Sequence, residues 1–187
     1  MAKLIYTAIA SLDGYVADEH GKFDWAAPDE EVHAFANDLE RPIGTHLYGR
    51  RMYETMKVWE GDEILQGQPA VMRDYAEIWR AADNIVYSRS LAEVETARTK
   101  LERSLDPGAI RALKESGERD VGIGGPDLAG QALAADLIDE IHLLLVPVAV
   151  GAGKPTLPIH RQLSLKLQQH RRFGNGTVYL QYRLDPS

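Results

Sequence analysis

The amino-acid sequence predicts an α/β fold, a mixed and mainly parallel sheet flanked by helices and closed by an antiparallel hairpin. Three observations carry this. Apolar runs of strand length recur along the 187 residues, at Lys3 to Ala10, Thr45 to Tyr48, Asn84 to Tyr87, Val121 to Ile123 and Ile141 to Val150. Between them lie stretches whose apolar residues return at helical spacing, and strands alternating with helices pair in parallel with the helices on the sheet faces. Near the end, Leu165 to Phe173 and Thr177 to Leu184 flank Asn175-Gly176, a pair that closes two-residue hairpins because both residues tolerate positive φ. No linker rich in Pro, Gly or Ser and no repeat divides the chain, so one domain is expected over 1–187.

The first strand ends in turn chemistry, Ser11-Leu12-Asp13-Gly14, and the polar stretch from Asp18 to Asp24 reads as a surface loop. After Pro28, Val32, Phe35, Ala36 and Leu39 form one helical face. Asp29, Glu30 and Glu31 occupy that helix's first turn, where negative charge complements the dipole, and Pro42 ends it. Gly49 separates the next strand from a helix carrying Met52, Met56 and Trp59. Pro69 starts a helix whose face is Val71, Tyr75, Ile78 and Trp79. Asp106-Pro107 caps and starts another through Ile110 and Leu113, which Gly117 stops. Gly124-Gly125 leads into a helix around Leu128 to Leu137, and Ile141 to Val150 is the longest strand candidate.

Composition excludes several functions. Hydrophobic residues make up 44% and charged residues 26%, as in an ordinary soluble globular protein. A net charge of −7 argues against a nucleic-acid binder with a broad basic face. The absence of cysteine removes disulfides, thiolate zinc sites, iron–sulfur clusters and cysteine nucleophiles, and it fits a cytoplasmic location. No apolar run approaches the roughly 20 residues needed to span a bilayer, and the amino terminus lacks the flanks of a signal peptide. The six histidines are scattered without ligand spacing, so no metal is expected. Asn175-Gly176-Thr177 matches a glycosylation pattern, but the turn accounts for its residues.

Motif searches exclude more. Gly122-Ile123-Gly124-Gly125-Pro126-Asp127 begins like a dinucleotide fingerprint but has Asp127 where the third glycine belongs. Gly151-Ala152-Gly153-Lys154-Pro155 imitates a phosphate loop but lacks its first glycine, at Val148, and its Ser or Thr, at Pro155. Neither Ser11 nor Ser116 sits in a glycine-flanked elbow.

Three segments place glycine or arginine where a strand meets a helix: Tyr48-Gly49-Arg50-Arg51, Tyr87-Ser88-Arg89-Ser90 and Ile123-Gly124-Gly125-Pro126. Ligands of open α/β sheets gather at carboxyl strand ends, and helix starts there present free N–H groups to anions. Any one segment alone reads as turn glycines and solvated arginines. Their coincidence points to a dinucleotide with an extra phosphate. Asp13 directly follows a buried strand, and Glu30 and Glu31 open a helix just after Trp25-Ala26-Ala27-Pro28. A carboxyl group shielded beside a tryptophan would hold a proton near neutral pH. Helix capping accounts for the same acids, and on residue physics alone it is the preferred reading.

Taken in order, Ser11 to Ala17, Tyr48 to Glu54, Gly124 to Leu128 leading to Leu137-Ile138-Asp139-Glu140-Ile141, and Val146 to Pro155 resemble the dihydrofolate-reductase-like superfamily. The branch most resembled is the reductase domain of bifunctional riboflavin-biosynthesis proteins. That resemblance covers nearly the whole chain and implies about eight strands, with NADPH lying across their ends. By it, Gly49, Arg50 and Arg51 meet cofactor phosphates, while Ser88 and Arg89 hold the adenosine end and its 2′-phosphate. Gly124, Gly125, Pro126 and Leu128 form the pyrophosphate turn, with a cis peptide between the glycines. Trp25, Glu30 and Asp13 line the substrate side, and Glu30 and Asp13 are the candidate catalytic acids.

Departures limit the analogy. The folate-tail arginine falls at Ala82, the threonine supporting the catalytic acid at Leu144, and a phosphate-binding threonine at Met52. The chain has no room for a partnered deaminase domain. The expected function is therefore a stand-alone NADPH-dependent reductase of a small heterocyclic or carbonyl-like substrate. Only the arginines favour NADPH over NADH. The alternatives are a non-catalytic module that binds a nucleotide or flavin, and dihydrofolate reduction itself. A homodimer is expected, built through the long apolar strand and the closing hairpin.

Overall fold

The computed structural model describes residues 1–185; Pro186 and Ser187, the last two positions of the expected domain, lie outside the described residues. Its strands are β1 (Leu4–Ser11), β2 (Tyr15–Asp18), β3 (Ile43–Gly49), β4 (Asp83–Tyr87), β5 (Thr99–Glu102), β6 (Asp120–Gly124), β7 (Glu140–Val146), β8 (Gly153–Pro155), β9 (Leu165–Arg172) and β10 (Val178–Leu184). Its helices are α1 (Glu30–Glu40), α2 (Arg50–Met56), α3 (Ala70–Ala81), α4 (Pro107–Ser116) and α5 (Pro126–Ala134). The main sheet has eight strands in the order β5-β4-β3-β6-β1-β7-β10-β9. All pairs from β5 to β7 are parallel, and β10 runs antiparallel to both its neighbours. This is the α/β architecture expected. Among the described residues no helix is long and apolar enough to cross a membrane.

Register assigns the two faces. Tyr6 lies opposite both Ile123 and Ile141, and Leu47 opposite Ile123, so these side chains share one face and pack with Ile110, Leu128, Ala132 and Leu133 of α4 and α5. The other face carries Tyr48 and Val86 under α2 and α3, and Ile9, Leu144 and Tyr179 under α1. Each fully buried Leu or Ile contributes about 1.5–3 kcal/mol, so two covered faces hold the central strands firmly. Asp29 caps α1 by accepting from the Val32 N–H at 2.9 Å.

Three local expectations need correction, and one strand, β5, was not foreseen. Asn175-Gly176 does not close a two-residue turn. The Gly176 N–H bonds to Phe173 O at 3.1 Å and the Phe173 N–H to Thr177 O at 2.9 Å, with Gly176 at φ +90°, so a three-residue loop ends in a left-handed glycine. The strand expected to reach Val150 stops at Val146, because Pro147 has no N–H to continue the ladder. β5 alternates half-buried and exposed residues at the sheet edge and gives no apolar run. β2, at the start of the expected loop, pairs with β8 as a separate two-stranded sheet.

Where α1 returns toward β3, Glu40 and His46 lie together, Nδ1 to Oε2 at 3.7 Å with side chains 18% and 4% exposed. The imidazole stacks on Tyr48, 5.4 Å between centroids and 6° between planes. Burial raises the Glu40 carboxyl from 4.5 to about 7, while burial and the nearby Arg119 charge lower His46 from 6.5 to about 4. Between pH 4.5 and 6.5 the folded chain therefore holds an extra proton on Glu40 and lacks one on His46, so their effects on stability oppose each other. Removing either group exposes the other's slope. In Glu40→Gln, stability rises from pH 4 to 6.5; in His46→Gln, it falls from pH 4.5 to 7. Each change amounts to about 1–3 kcal/mol in denaturant midpoints converted to free energy.

Candidate active site

The strand ends come together first. Gly49 pairs with Tyr87 and Tyr48 with Gly124, so the bends at 49, 88 and 124 leave three adjacent parallel strands at one carboxyl edge. A Cβ on Gly124 would lie 2.9 Å from two Tyr48 ring carbons and 3.1 Å from Met52 Cγ, so the start of α2 packs directly on the glycine turn. Gly125, at φ +91°, turns the chain into α5. The peptide between the two glycines is trans, against expectation: no cis bond occurs among the described residues.

The arginines divide by engagement. Arg50 donates from Nε to Glu54 at 2.7 Å and from Nη1 to the Ser90 hydroxyl at 3.1 Å, linking two of the bends. Ser88 is buried, and its hydroxyl accepts the N–H groups of Ser90 and Leu91 at 3.3 and 3.0 Å, which shapes the turn that presents Arg89. Arg51 and Arg89 are exposed and make no side-chain hydrogen bond or ion pair among the described residues. At α5, Pro126 fills the first turn and Asp127 is neutralised by Lys154. Leu128 is buried in the core, so only its backbone can face a ligand.

The acids have three different situations. Asp13 accepts from the Gly151 N–H at 2.7 Å and the Val150 N–H at 3.1 Å, tying the bend after β1 to the loop after β7. The Ser11 hydroxyl and these amides hold its carboxyl below the usual range, so it stays ionised. Glu31 is taken up by Arg171 at 3.0 Å and the Gly174 N–H at 3.1 Å. Arg171 also lies 4.6 Å over the Phe173 ring, which fixes the hairpin to α1. Glu30 sits at the start of α1, exposed and without a hydrogen-bond partner among the described residues, rather than shielded beside a tryptophan. Trp25 is half-buried in a 3₁₀ turn and donates to Lys22 O at 3.2 Å. Because β1 runs to the carboxyl edge and α1 returns from it, Asp13, Trp25 and Glu30 share that edge with the three bends.

Sequence reasoning missed several contributors. Arg103, just past the unrecognised β5, donates to Ser88 O at 3.1 Å and Leu91 O at 2.6 Å and so braces the arginine turn. Lys154, which neutralises Asp127, was given no role by the sequence. His33, Trp59 and Tyr75 meet ring to ring behind Glu30, a cluster assembled from three elements with no local pattern.

The model of the RibD C-terminal domain matches residues 2–179. The chain belongs to the RibD C-terminal domain family. Two Bacillus subtilis (strain 168) relatives, the uncharacterised proteins YyaP and YwjB, are each 26% identical and cover 96% of this chain, with 94% and 95% of their own lengths matched. Among solved structures, a Shewanella sp. PV-4 protein provisionally described as a riboflavin biosynthesis protein superposes with a TM-score of 0.76 at 23% identity over 100% of both chains. The Thermotoga maritima diaminohydroxyphosphoribosylaminopyrimidine deaminase/5-amino-6-(5-phosphoribosylamino)uracil reductase gives 0.69 at 14% identity, covering 98% of this chain and 57% of its own. Dihydrofolate reductase of Enterococcus faecalis, complexed with NADP(H), gives 0.65 at 16% identity, covering 98% and 97%. The RibD-type domain thus has a dihydrofolate-reductase-like fold. In this RibD C-terminal domain Ala82 and Leu144 are both 1% exposed, so neither lines a groove.

The glycine contacts give a direct test. Gly124→Ala must displace Tyr48 or Met52 and is expected to cost about 1–3 kcal/mol of unfolding free energy. Gly49→Ala, with nothing within 4 Å of the new Cβ, is expected to cost under about 1 kcal/mol in the same denaturation measurement.

Proposed function

We propose that this chain is a cytoplasmic NADPH-dependent oxidoreductase that delivers a hydride to a small heterocyclic or carbonyl-like substrate. The observation that carries this reading is the convergence of the bends at 49, 88 and 124, with Arg51 and Arg89 left unpartnered beside them. Two unengaged guanidinium groups at a carboxyl sheet edge suit phosphate, which arginine binds in paired hydrogen bonds. The crowded Gly124 lets backbone approach a pyrophosphate where a side chain could not. Family membership supports a reductase, and the Enterococcus neighbour holds NADP(H) on the same fold.

Bound NADPH supplies the hydride. Arg51 holds phosphate at the start of α2, Arg50 braces the turn that carries Arg89, and Arg89 takes the 2′-phosphate. Gly49, Ser88, Gly125, Pro126 and the Leu128 backbone shape the groove. Trp25 forms one wall of the substrate side and excludes water. Glu30, once substrate bound beside it shields the carboxyl from water, is the proton donor to the reduced substrate. Asp13, held ionised by the Ser11 hydroxyl and the Gly151 and Val150 amides, positions the loop after β7 rather than donating a proton. The buried Ala82 and Leu144 argue against folate as the substrate.

A second reading is a nucleotide-binding module without turnover. It is favoured by Trp59, which packs into the space between α1 and α3 and narrows the substrate side. That reading requires cofactor binding with no oxidation in any substrate screen.

A second copy of this chain is the proposed partner for the outer sheet. Leu165 pairs with Leu184, and Leu167 with Tyr182, so all four face one way with Leu180. Leu167 is 47% exposed. Leu167→Glu is expected to convert a dimer to monomer in light scattering, whereas a monomeric parent chain would refute the assembly.

Titration of cofactor fluorescence tests the central reading. Micromolar binding of NADPH is expected, and Arg89→Ala should weaken it about tenfold, the worth of one charge-assisted contact. NADH affinity should stay within about twofold, because the lost contact is to the 2′-phosphate that NADH lacks. No binding of either nucleotide at millimolar concentration overturns the assignment. Glu30→Gln with undiminished turnover removes the proton-donor role.

A further inference from the structure

Behind Glu30, three rings from three elements close the gap between α1, α3 and the 3₁₀ turn Lys57–Glu60 that continues α2. His33 meets Tyr75 edge-on at 5.7 Å and Trp59 at 6.3 Å, and Trp59 meets Tyr75 at 4.8 Å between centroids. The rings are held in place. Arg80 donates from Nε to the Trp59 carbonyl at 2.7 Å. Asn37, fully buried on α1, donates from Nδ2 to Val71 O at 2.9 Å and to Asp74 Oδ2 at 2.7 Å.

Those two bonds orient the Asn37 amide, leaving its oxygen toward His33 Nδ1 at 3.0 Å. An amide oxygen only accepts, so Nδ1 carries the hydrogen and the neutral ring's lone pair is on Nε2. That Nε2 has no partner among the described residues and is not among the atoms sealed from solvent. His33 and Asn37 face α3, and exposed Glu30 stands one turn ahead of His33, at i−3 on the same side of α1. That side leads from the carboxyl edge inward: first an acid, then an imidazole acceptor, then a wall of rings.

The charges here are equally defined. Arg41 is taken by Asp74 and Asp38, Arg80 by Asp62 and the Trp59 carbonyl, and Lys57 by Glu95. None of these cations is left to meet an anionic substrate group, while Glu30 repels one. A carboxylate or phosphate entering the gap would find Arg41, Arg80 and Lys57 already paired.

We infer that the substrate side of this cleft takes a compact, uncharged planar ring whose N–H or O–H edge donates to His33 Nε2, and rejects a ring bearing an anionic group or tail. His33 is then a specificity-determining residue. The inference rests on the oxidoreductase reading, which places the substrate beside Glu30.

Matched probes test it on the protein saturated with NADP⁺, by calorimetry. One pair is 6-methyl-7,8-dihydropterin and 7,8-dihydrofolate, which share a ring and differ by an anionic tail; the other is 6-methyluracil and orotate. The neutral member is expected to bind at least tenfold more tightly in at least one pair. His33→Ala should weaken that neutral member about fivefold while leaving its anionic counterpart and NADPH unchanged. His33→Gln, which keeps a hydrogen-bonding group, should restore part of the loss. Trp59→Ala should narrow the dihydrofolate ratio below threefold. Anionic members binding as tightly as neutral ones, or no member binding to protein that holds NADP⁺, overturns the inference. Failure to bind NADPH or NADP⁺ at all instead overturns the oxidoreductase reading beneath it.

Discussion

The register of β4, β3 and β6 places Tyr87 beside Gly49 and Tyr48 beside Gly124, and most of the carboxyl edge follows from that alignment. Strand side chains alternate between faces, so a slip of one residue would send Tyr48 and His46 into the layer of α4 and α5 and bring Leu47 under α2. The glycines of β6 belong to the same constraint. Gly122 lies under the His46 imidazole and Gly124 under the Tyr48 ring, each with too little room for a side chain. Two aromatic rings over two glycines thus lock the pairing that brings the arginine turns together.

Electrostatics then separates residues that look alike on paper. Glu30 and Glu31 are consecutive acids in one helical turn, yet Glu31 fastens the hairpin through Arg171 while Glu30 faces solvent. Asp13, surrounded by donors, is an anchor. Arg50 and Arg51 diverge in the same way, one braced by Glu54 and Ser90, the other free to meet a ligand. In each pair, helix geometry turns neighbours to different faces, and what each face meets decides the role.

Much of this was legible in the sequence. Strands with apolar runs, the cap at Asp106, the helix start at Asp29 to Glu31, and the glycine pair at 124 and 125 are signalled by their own neighbours. β5 was not, because an edge strand buries too little to need an apolar run, and β2 with β8 was not, because they find each other across the chain. At the site, the arginine turns could be read from glycine, serine and arginine beside strand ends. The ring cluster of His33, Trp59 and Tyr75 could not, since each residue taken alone fits an ordinary helix face. Nor could the pairing of Glu40 with His46 be anticipated, since the helix end and the strand that carry them meet only in the fold.

β9 stands apart from the rest of the sheet. Its eight residues are all exposed, on both faces, so no side chain there is trapped by burial, and its outer amides and carbonyls face no strand in the main sheet. Such a border would ordinarily invite open-ended stacking of one molecule on the next. Lys166, His170, Arg171 and Arg172 occupy it. If two copies aligned border to border with opposite polarity, centred between Gln168 and Gln169, Lys166 would face Arg171, cation against cation. The same eight residues that leave the domain's margin uncovered therefore guard it against growing into a fibre.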